Sequence, residues 1–538
     1  MPKLRLYLST ASHLRPSQLA YRIWRRAGGK TSLRRGYIPS PNLENVGIHS
    51  ISTLPQLDFD PAFLSRFDVE ALLDDRIVLL HHEEHVDWCD SWSETYSTPL
   101  WRFNLHYHEY LLPLAKAYMD SGDARYLDKL KTIVCKWIDA CPRGANNVAW
   151  DPYVISMRVV NWLAFLGELS DVLAKDSLFV KRVHESLVEQ YIYLSQHLEK
   201  DLLANHYLEN LKALTVLAGY FRDAETLEIV MPLLQSQVNE QVLSDGMHFE
   251  LSPMYHKIVL EDLIRVRAML EGLQEKKWLS VEFPLKKMCD VLYSLERGTE
   301  RTPLFNDSGD NVAKSRDGLL LCAKERFGIE PTFVPILPDA GYCVLERDTQ
   351  AGRVKIIFDA GLPGPTYAMG HAHCDCLSFE CFVDGKAWIV NRGTYAYQDE
   401  RRLVYKNTAS HNTIQYKGVE QHECWAPFRV ARYSTSRLIS FSLKDSFVVG
   451  EMETPDGMKI RRSISIEEDR ISIIDVSDGA SDTVSYLGFV SNVPNLEEDG
   501  RIKEWYSPEF GESRCIEVLF FERNAVDIPL LSRGGQDD

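Results

Sequence analysis

The chain has 538 residues, 45% hydrophobic and 25% charged, with a formal net charge of −17. That length exceeds one ordinary hydrophobic core, so two or more globular domains are expected. The negative balance argues against a nucleic-acid partner, because phosphate binding wants a basic surface; an anionic substrate would need locally placed Arg, His and Asn.

The chain contains no uninterrupted apolar run resembling a signal peptide, and no stretch approaches a membrane span. Its eleven cysteines are an odd number without a repeating spacing, which is no disulfide framework and favours a reducing compartment. A cytoplasmic location is the expectation, with the periplasm as the alternative. Residues 1–95 read as an extension, partly helical. Within it, 16–26 is a short helix with Leu19, Ile23 and Trp24 on one side and Arg22, Arg25 and Arg26 following. It suits peripheral contact with an anionic membrane face, or packing on the domain behind it.

Residues 96–330 carry helical periodicity, as in Leu111, Leu114, Ala115 and Tyr118, and in Val160, Leu163, Leu166 and Leu169. Helices are expected over 126–140, 152–173, 177–198, 208–221, 225–242, 255–273 and 285–297. The short connections make consecutive helices antiparallel neighbours, and leave a bundle, a solenoid and a closed ring of hairpins open. After Pro331 the pattern alternates, at 354–358, 446–450 and 461–466, with Asp-Gly turns at 384–385 and 456–457. Residues 331–538 are therefore expected to form an antiparallel β-sandwich, frayed after Ser532. Helices followed by sheet give an interdomain cleft, a common place for a ligand.

Three histidines, His371, His373 and His411, bracket the hairpin expected over 377–390. Imidazoles from separate strands suit a metal or proton-transfer site. Cys374 and Cys376 read as packing residues. In the helical half, His106, Tyr153, Arg158 and Trp162 are substrate-binding candidates: Arg158 offers a fork for a carboxylate, or else sits in a structural ion pair. His206 and Glu209 lie three apart, so the acid can orient the imidazole. Asn205 reads as a polar contact or simply as a helix N-cap. Ser252-Pro253 marks a helix start, with Tyr255 in its first turn.

Four elements occur in order: Asn205-His206-x-x-Glu209, Glu250-x-Ser252-Pro253-x-Tyr255-His256, Phe305 to Asp310, and Gly370-His371-x-His373-x-Asp375 with His411-Asn412-Thr413. Together they resemble the heparinase II/III-like family of polysaccharide lyases. The resemblance implies an α+β multidomain fold, an N-terminal incomplete (α/α) toroid of helical hairpins followed by a C-terminal antiparallel β-sandwich, with the site between them. It implies β-elimination on a uronic acid residue of an anionic polysaccharide, in surface or exopolysaccharide metabolism. Asn205 would bond the uronate carboxylate with His206 nearby, Tyr255 would protonate the leaving oxygen and could also act as base, and His371 is the alternative base. Tyr405 is a further catalytic candidate, and Glu209 a substrate contact. His373 and His411 match positions that hold a structural zinc in several relatives. This chain has Asn391 where relatives usually show Asp, a poorer ligand, and Asp375 is the substitute carboxylate. No phosphate loop or Ser nucleophile elbow points to a nucleotide or redox cofactor. A glycoside hydrolase would instead need paired carboxylates, for which Glu209, Glu250 and Asp307 are available. A non-catalytic glycan-binding or assembly protein is the third reading.

Overall fold

Helices begin where a short acceptor side chain precedes a proline. Thr98, Asp151 and Ser252 cap the N–H groups of Trp101, Tyr153 and Tyr255, each with proline as the next residue. In this computed structural model the described residues are 2–41, 53–89, 92, 98–144, 148–279, 282–478, 482–491 and 493–530. The tail beyond Ser532 lies outside them.

The main helices of the N-terminal half are Leu111–Ser121, Ala124–Ala140, Pro152–Glu168, Ser177–Gln196, Ala204–Tyr220, Ala224–Gln241, Pro253–Leu273 and Leu285–Glu296. The helix expected over 152–173 breaks at Leu169 and resumes as Ser170–Leu173. Successive helices pack as antiparallel hairpins around one apolar core, from Leu33 and Trp101 to Leu319, and form the incomplete toroid. Among the described residues, no helix is long and apolar enough to cross a membrane.

The C-terminal half is two large antiparallel sheets and a two-stranded one, His422–Ala426 with Arg429–Tyr433. The larger runs Gly500–Tyr506, Arg514–Phe521, Thr483–Phe489, Lys386–Ile389, Phe379–Val383, Gly352–Asp359, Tyr342–Thr349 and Ile336–Leu337, with Ile414–Tyr416 also on Thr483–Phe489. The smaller runs Thr435–Ser442, Phe447–Glu453, Lys459–Ile466, Arg470–Ser477 and Ala525–Pro529. Alternation divides the larger sheet between two cores. Leu345, Ile356 and Phe358 meet Val448, Ile464 and Ile473 of the smaller sheet, whereas Val344 and Ile357 meet Val291 and Leu295 of the helical half. The second of these cores joins the two halves. The Phe379–Val383 and Lys386–Ile389 hairpin turns through Asp384 and Gly385, both at positive φ (47° and 83°), which suits an Asp-Gly pair.

Two helices at the start of the chain, α1 (Pro2–His13) and α2 (Pro16–Arg26), strap the halves together. On the β side, Ser9 and Thr10 donate to the carbonyls of Ala431 and Val430, both at 3.0 Å, and Arg5 pairs with Glu423 at 2.7 Å. On the helical side, Arg25 pairs with Asp201 at 2.5 Å and Gln18 donates to the carbonyl of Leu202 at 3.1 Å, while Gln18 also reaches the carbonyl of Tyr367 in the β half at 3.4 Å. Gln18 is the buried residue of α2, while Ile23 and Trp24 stay 70% and 55% exposed, so the apolar side of α2 does not pack inward.

Candidate active site

A cavity of about 430 Å3 lies where the toroid, the β domain and the strap meet. Its walls include Tyr153, Asn205, His206, Glu250, Tyr255, His371 and Tyr397. The backbone beneath them is unusual. Leu203, Ala204, Leu251, Asn306 and Leu377 all have positive φ (64°, 50°, 56°, 53° and 59°) without being glycine. Such conformations cost about 1–3 kcal/mol each and persist only where the surroundings impose them. Of these, Leu203 and Ala204 line the cavity themselves. The helix Ala204–Tyr220 starts one residue before Asn205, and its N-cap is Leu203, with no side-chain bond. Asn205 is therefore not the cap, and its side chain lines the cavity instead. Its Nδ2 donates to both oxygens of Glu250 (3.0 and 2.8 Å) and lies 3.3 Å from His371 Nε2.

Asp307 organises the other side. It is fully buried, and its carboxylate meets His371 Nδ1 at 2.8 Å, His373 Nε2 at 2.9 Å, and both Nη atoms of Arg402, with Nη2 at 2.6 Å. Burial alone would raise its pKa, but Arg402 and the two histidines hold it well below the usual carboxylate range. An ionised Asp307 fixes the proton of His371 on Nδ1 and leaves the Nε2 lone pair turned toward Asn205 and the cavity.

Tyr255 packs its ring 4.2 Å from that of His371, and its hydroxyl meets the Tyr397 hydroxyl at 2.8 Å. Burial, then Tyr397 and Asp307, push the Tyr255 phenol well above its ordinary value, so it is a neutral donor. His206 Nδ1 meets Glu199 at 2.9 Å, and its ring stacks 4.8 Å from Tyr153. Burial would lower the imidazole, but Glu199 and then Asp151 overcome it and raise His206 to about 9. A cation thus stands beside Asn205.

Of the sequence candidates, Tyr153, Asn205, His206, Glu209, Tyr255 and His371 line the cavity; others do not. Arg158 is fully buried and donates to Gln190 and to the carbonyls of His106 and Ala149, so it holds loops together and reaches no substrate. His106 is buried too and takes the Trp137 N–H at 3.1 Å, and Trp162 gives its N–H to His108. Glu209 borders the cavity, but it pairs with Lys212 at 2.8 Å, and Glu199 is the acid that orients His206. Tyr405 is buried against Ser507, 3.0 Å away, and does not line the cavity, whereas Tyr397 does, with its hydroxyl 2.8 Å from that of Tyr255. Tyr397 and Glu199 carried no motif; only the fold brings them in.

The zinc candidates divide. His373 and His411 are buried with ring centres 5.2 Å apart, and among the described residues both ring nitrogens of His411 and Nδ1 of His373 are without a hydrogen bond of good geometry. Burial holds both imidazoles neutral, His373 at about 4, so lone pairs are available and the pair fits a metal. The Asn391 amide oxygen accepts the Asn412 N–H at 3.0 Å. Asp375 takes the Asn306 N–H at 2.8 Å. Among the described residues, the one group of three His, Cys, Asp or Glu close enough to chelate is His81, Glu509 and Glu512, at the surface.

Residues 34–319 match the family model described as heparinase II/III N-terminus, and 332–515 match that described as heparinase II/III-like, C-terminal. The chain belongs to the heparinase II/III-like family. It is 24% identical over 429 residues to a heparin-sulfate lyase of Bacteroides thetaiotaomicron, covering 71% of this chain and 61% of that protein. A heparin-sulfate lyase of Pedobacter heparinus is 23% identical over 348 residues, covering 58% and 51%. The chain thus spans between half and two thirds of these curated relatives. Among solved structures, heparinase III superposes with a TM-score of 0.66 at 18% identity, over 97% of this chain and 93% of that one. Heparan sulfate lyase HepC from Pedobacter heparinus gives 0.52 at 18%, over 86% and 81%. These likenesses carry the toroid-and-sandwich fold of the family.

Proposed function

We propose that this heparinase II/III-like chain is a polysaccharide lyase that cleaves a uronic-acid-containing glycosaminoglycan by β-elimination. The observation that carries this reading is His371: its Nδ1 is tied to buried Asp307, its Nε2 is turned to Asn205, and its ring lies against the Tyr255 phenol. The similarity to heparin-sulfate lyases supports the same substrate class.

The C5 proton of a uronate is weakly acidic, so charge on the adjacent carboxylate must be neutralised as the proton leaves. Asn205 offers its amide N–H to that carboxylate, and His206, protonated below about 9, supplies positive charge beside it. His371 Nε2 accepts the C5 proton, and Asp307 stabilises the imidazolium that results. The C4–O bond breaks, and the Tyr255 hydroxyl gives its proton to the leaving oxygen, with the Tyr397 hydroxyl at 2.8 Å able to share the charge left behind. A raised Tyr255 pKa favours the acid role over the base role, which would need it lowered. The three carboxylates that the hydrolase reading would use are each held: Asp307 by Arg402, Glu250 by Asn205 and Glu209 by Lys212. Zinc, if bound, would be held by His373 and His411 with Asn391, and would pin the loop that carries His371.

The test is ultraviolet absorbance on heparan sulfate, hyaluronan and other uronate polysaccharides, because elimination leaves a C4–C5 double bond conjugated to the carboxylate. The expected outcome is a rise with the native chain that disappears in Tyr255→Phe and His371→Ala. Product formed without absorbance would sink the lyase reading.

A further inference from the structure

The strap does more than join the halves. Gln18 and Arg22, four apart on α2, both line the cavity, so one face of this helix forms part of its wall. Facing them is the turn between strands His422–Ala426 and Arg429–Tyr433, where Phe428 and Arg429 also line the cavity. The Phe428 ring is 5.4 Å from Tyr397 and 6.3 Å from His371, so Arg429 is one residue from a ring packed on the reacting groups. The same strands receive α1, which fixes where α2 comes down.

Neither Arg22 nor Arg429 has a hydrogen-bond or ion-pair partner among the described residues. The nearest acid on the α2 side, Asp201, is already paired with Arg25. Burial, and then the charge of Arg429, hold the Arg22 guanidinium below its ordinary value, as expected of two cations facing one space. Unneutralised like charges repel, and a chain of net charge −17 has acids to spare for pairing them. Leaving two guanidinium forks free at the wall of a glycan-sized cavity makes chemical sense when an anion completes them.

We propose that Arg22 and Arg429 form a subsite for an acidic substituent, a sulfate or a carboxylate, on the sugar next to the one that reacts at His371. The proposal rests on the glycan reading above and extends it from the bond broken to the decoration recognised. Arg22 lies before residue 34, where the matched N-terminal family model begins, so this part of the subsite comes from outside the matched residues.

The test is isothermal titration of the full chain, in a Tyr255→Phe background that spares the probe, with three tetrasaccharides. These are heparin-derived (sulfates and carboxylates), heparosan (carboxylates only) and carboxyl-reduced heparosan (neither). R22A/R429A is expected to weaken an acidic probe about tenfold, the yield of two part-exposed ion pairs, and to leave the neutral probe unchanged. R22K/R429K, which keeps the charge, should recover most of the loss. A loss confined to heparin assigns sulfate, and an equal loss for heparin and heparosan assigns carboxylate. Unchanged affinity for every probe in R22A/R429A, an equal loss for the neutral probe, or binding of none of the three overturns the proposal. Absorbance of the native chain reports the lyase separately, so elimination can fail while the subsite stands, and the reverse.

Discussion

Replacing Asp307 by Asn separates what this carboxylate does for folding from what it does for His371. The side chain is fully buried and faces Arg402 and two histidines. Asn keeps the shape but removes the charge and turns one acceptor into a donor. Arg402, itself 1% exposed, is then left as an uncompensated buried cation. Breaking such a pair from one side costs about 3–5 kcal/mol, a large part of the margin of an ordinary domain. Removing both partners in Asp307→Asn/Arg402→Met should recover most of that loss. The Pro427 carbonyl, which Arg402 also serves, keeps Lys406 as a donor at 3.2 Å. Activity should not recover, because His371 still lacks the negative charge that stabilises its imidazolium; a loss of about 100- to 10,000-fold is expected of a disabled general base. Denaturant midpoints and absorbance assays on the three variants make the comparison. If the double variant is no more stable than Asp307→Asn, the charge argument fails. If it regains activity, Asp307 does not act through His371.

Tyr255→Phe should lower kcat by about 100- to 10,000-fold while moving the melting temperature little, because among the described residues its hydroxyl bonds the Tyr397 hydroxyl alone; kinetics and a thermal scan check both. His206 is raised to about 9, so its charge and the stability it contributes are fully present below its unfolded value near 6.5 and lost as pH rises through about 9. KM should climb over that window, and Glu199→Gln should move the climb toward neutral pH; an unmoved KM profile would remove His206 from carboxylate binding. Arg158→Met should lower the denaturation midpoint and leave KM unchanged, since Arg158 does not line the cavity and among the described residues donates to Gln190 and to two carbonyls. Elemental analysis of the purified chain should find zinc, reduced in His411→Ala along with the melting temperature; a metal-free native protein would refute the zinc assignment.

Helix starts were legible because their chemistry is local: Asp151-Pro152 and Ser252-Pro253 each announce a cap, and both helices begin there. The Asp384-Gly385 turn was legible for the same reason. Asn205, His206, Tyr255 and His371 were found through motifs spread over the chain, and the fold brings them to one cavity. Arg158 was misplaced because periodicity cannot tell which face of a helix meets core and which meets cleft when nearly every residue of Pro152–Glu168 is buried. Tyr397 was missed in favour of Tyr405 because the irregular backbone between Ile389 and Arg402 has no period to read. Glu199 lies seven residues before His206, in a turn that leads into a helix with left-handed backbone at Leu203, so linear spacing hides the pairing that raises the imidazole.

The strap of α1 and α2 also decides when the cost of shaping the cleft is met. Side chains of this segment grip strands at Val430 and Ala431 at one end and loops at Asp201 and Leu202 at the other. Rotating one half against the other would break those bonds together, so the angle between the halves is set as the chain folds. A glycan then meets a slot of preset width, and the entropy of domain closure is not charged to its binding. Fusions placed at the start of this chain act on a clasp, and their first casualty should be the width of that slot.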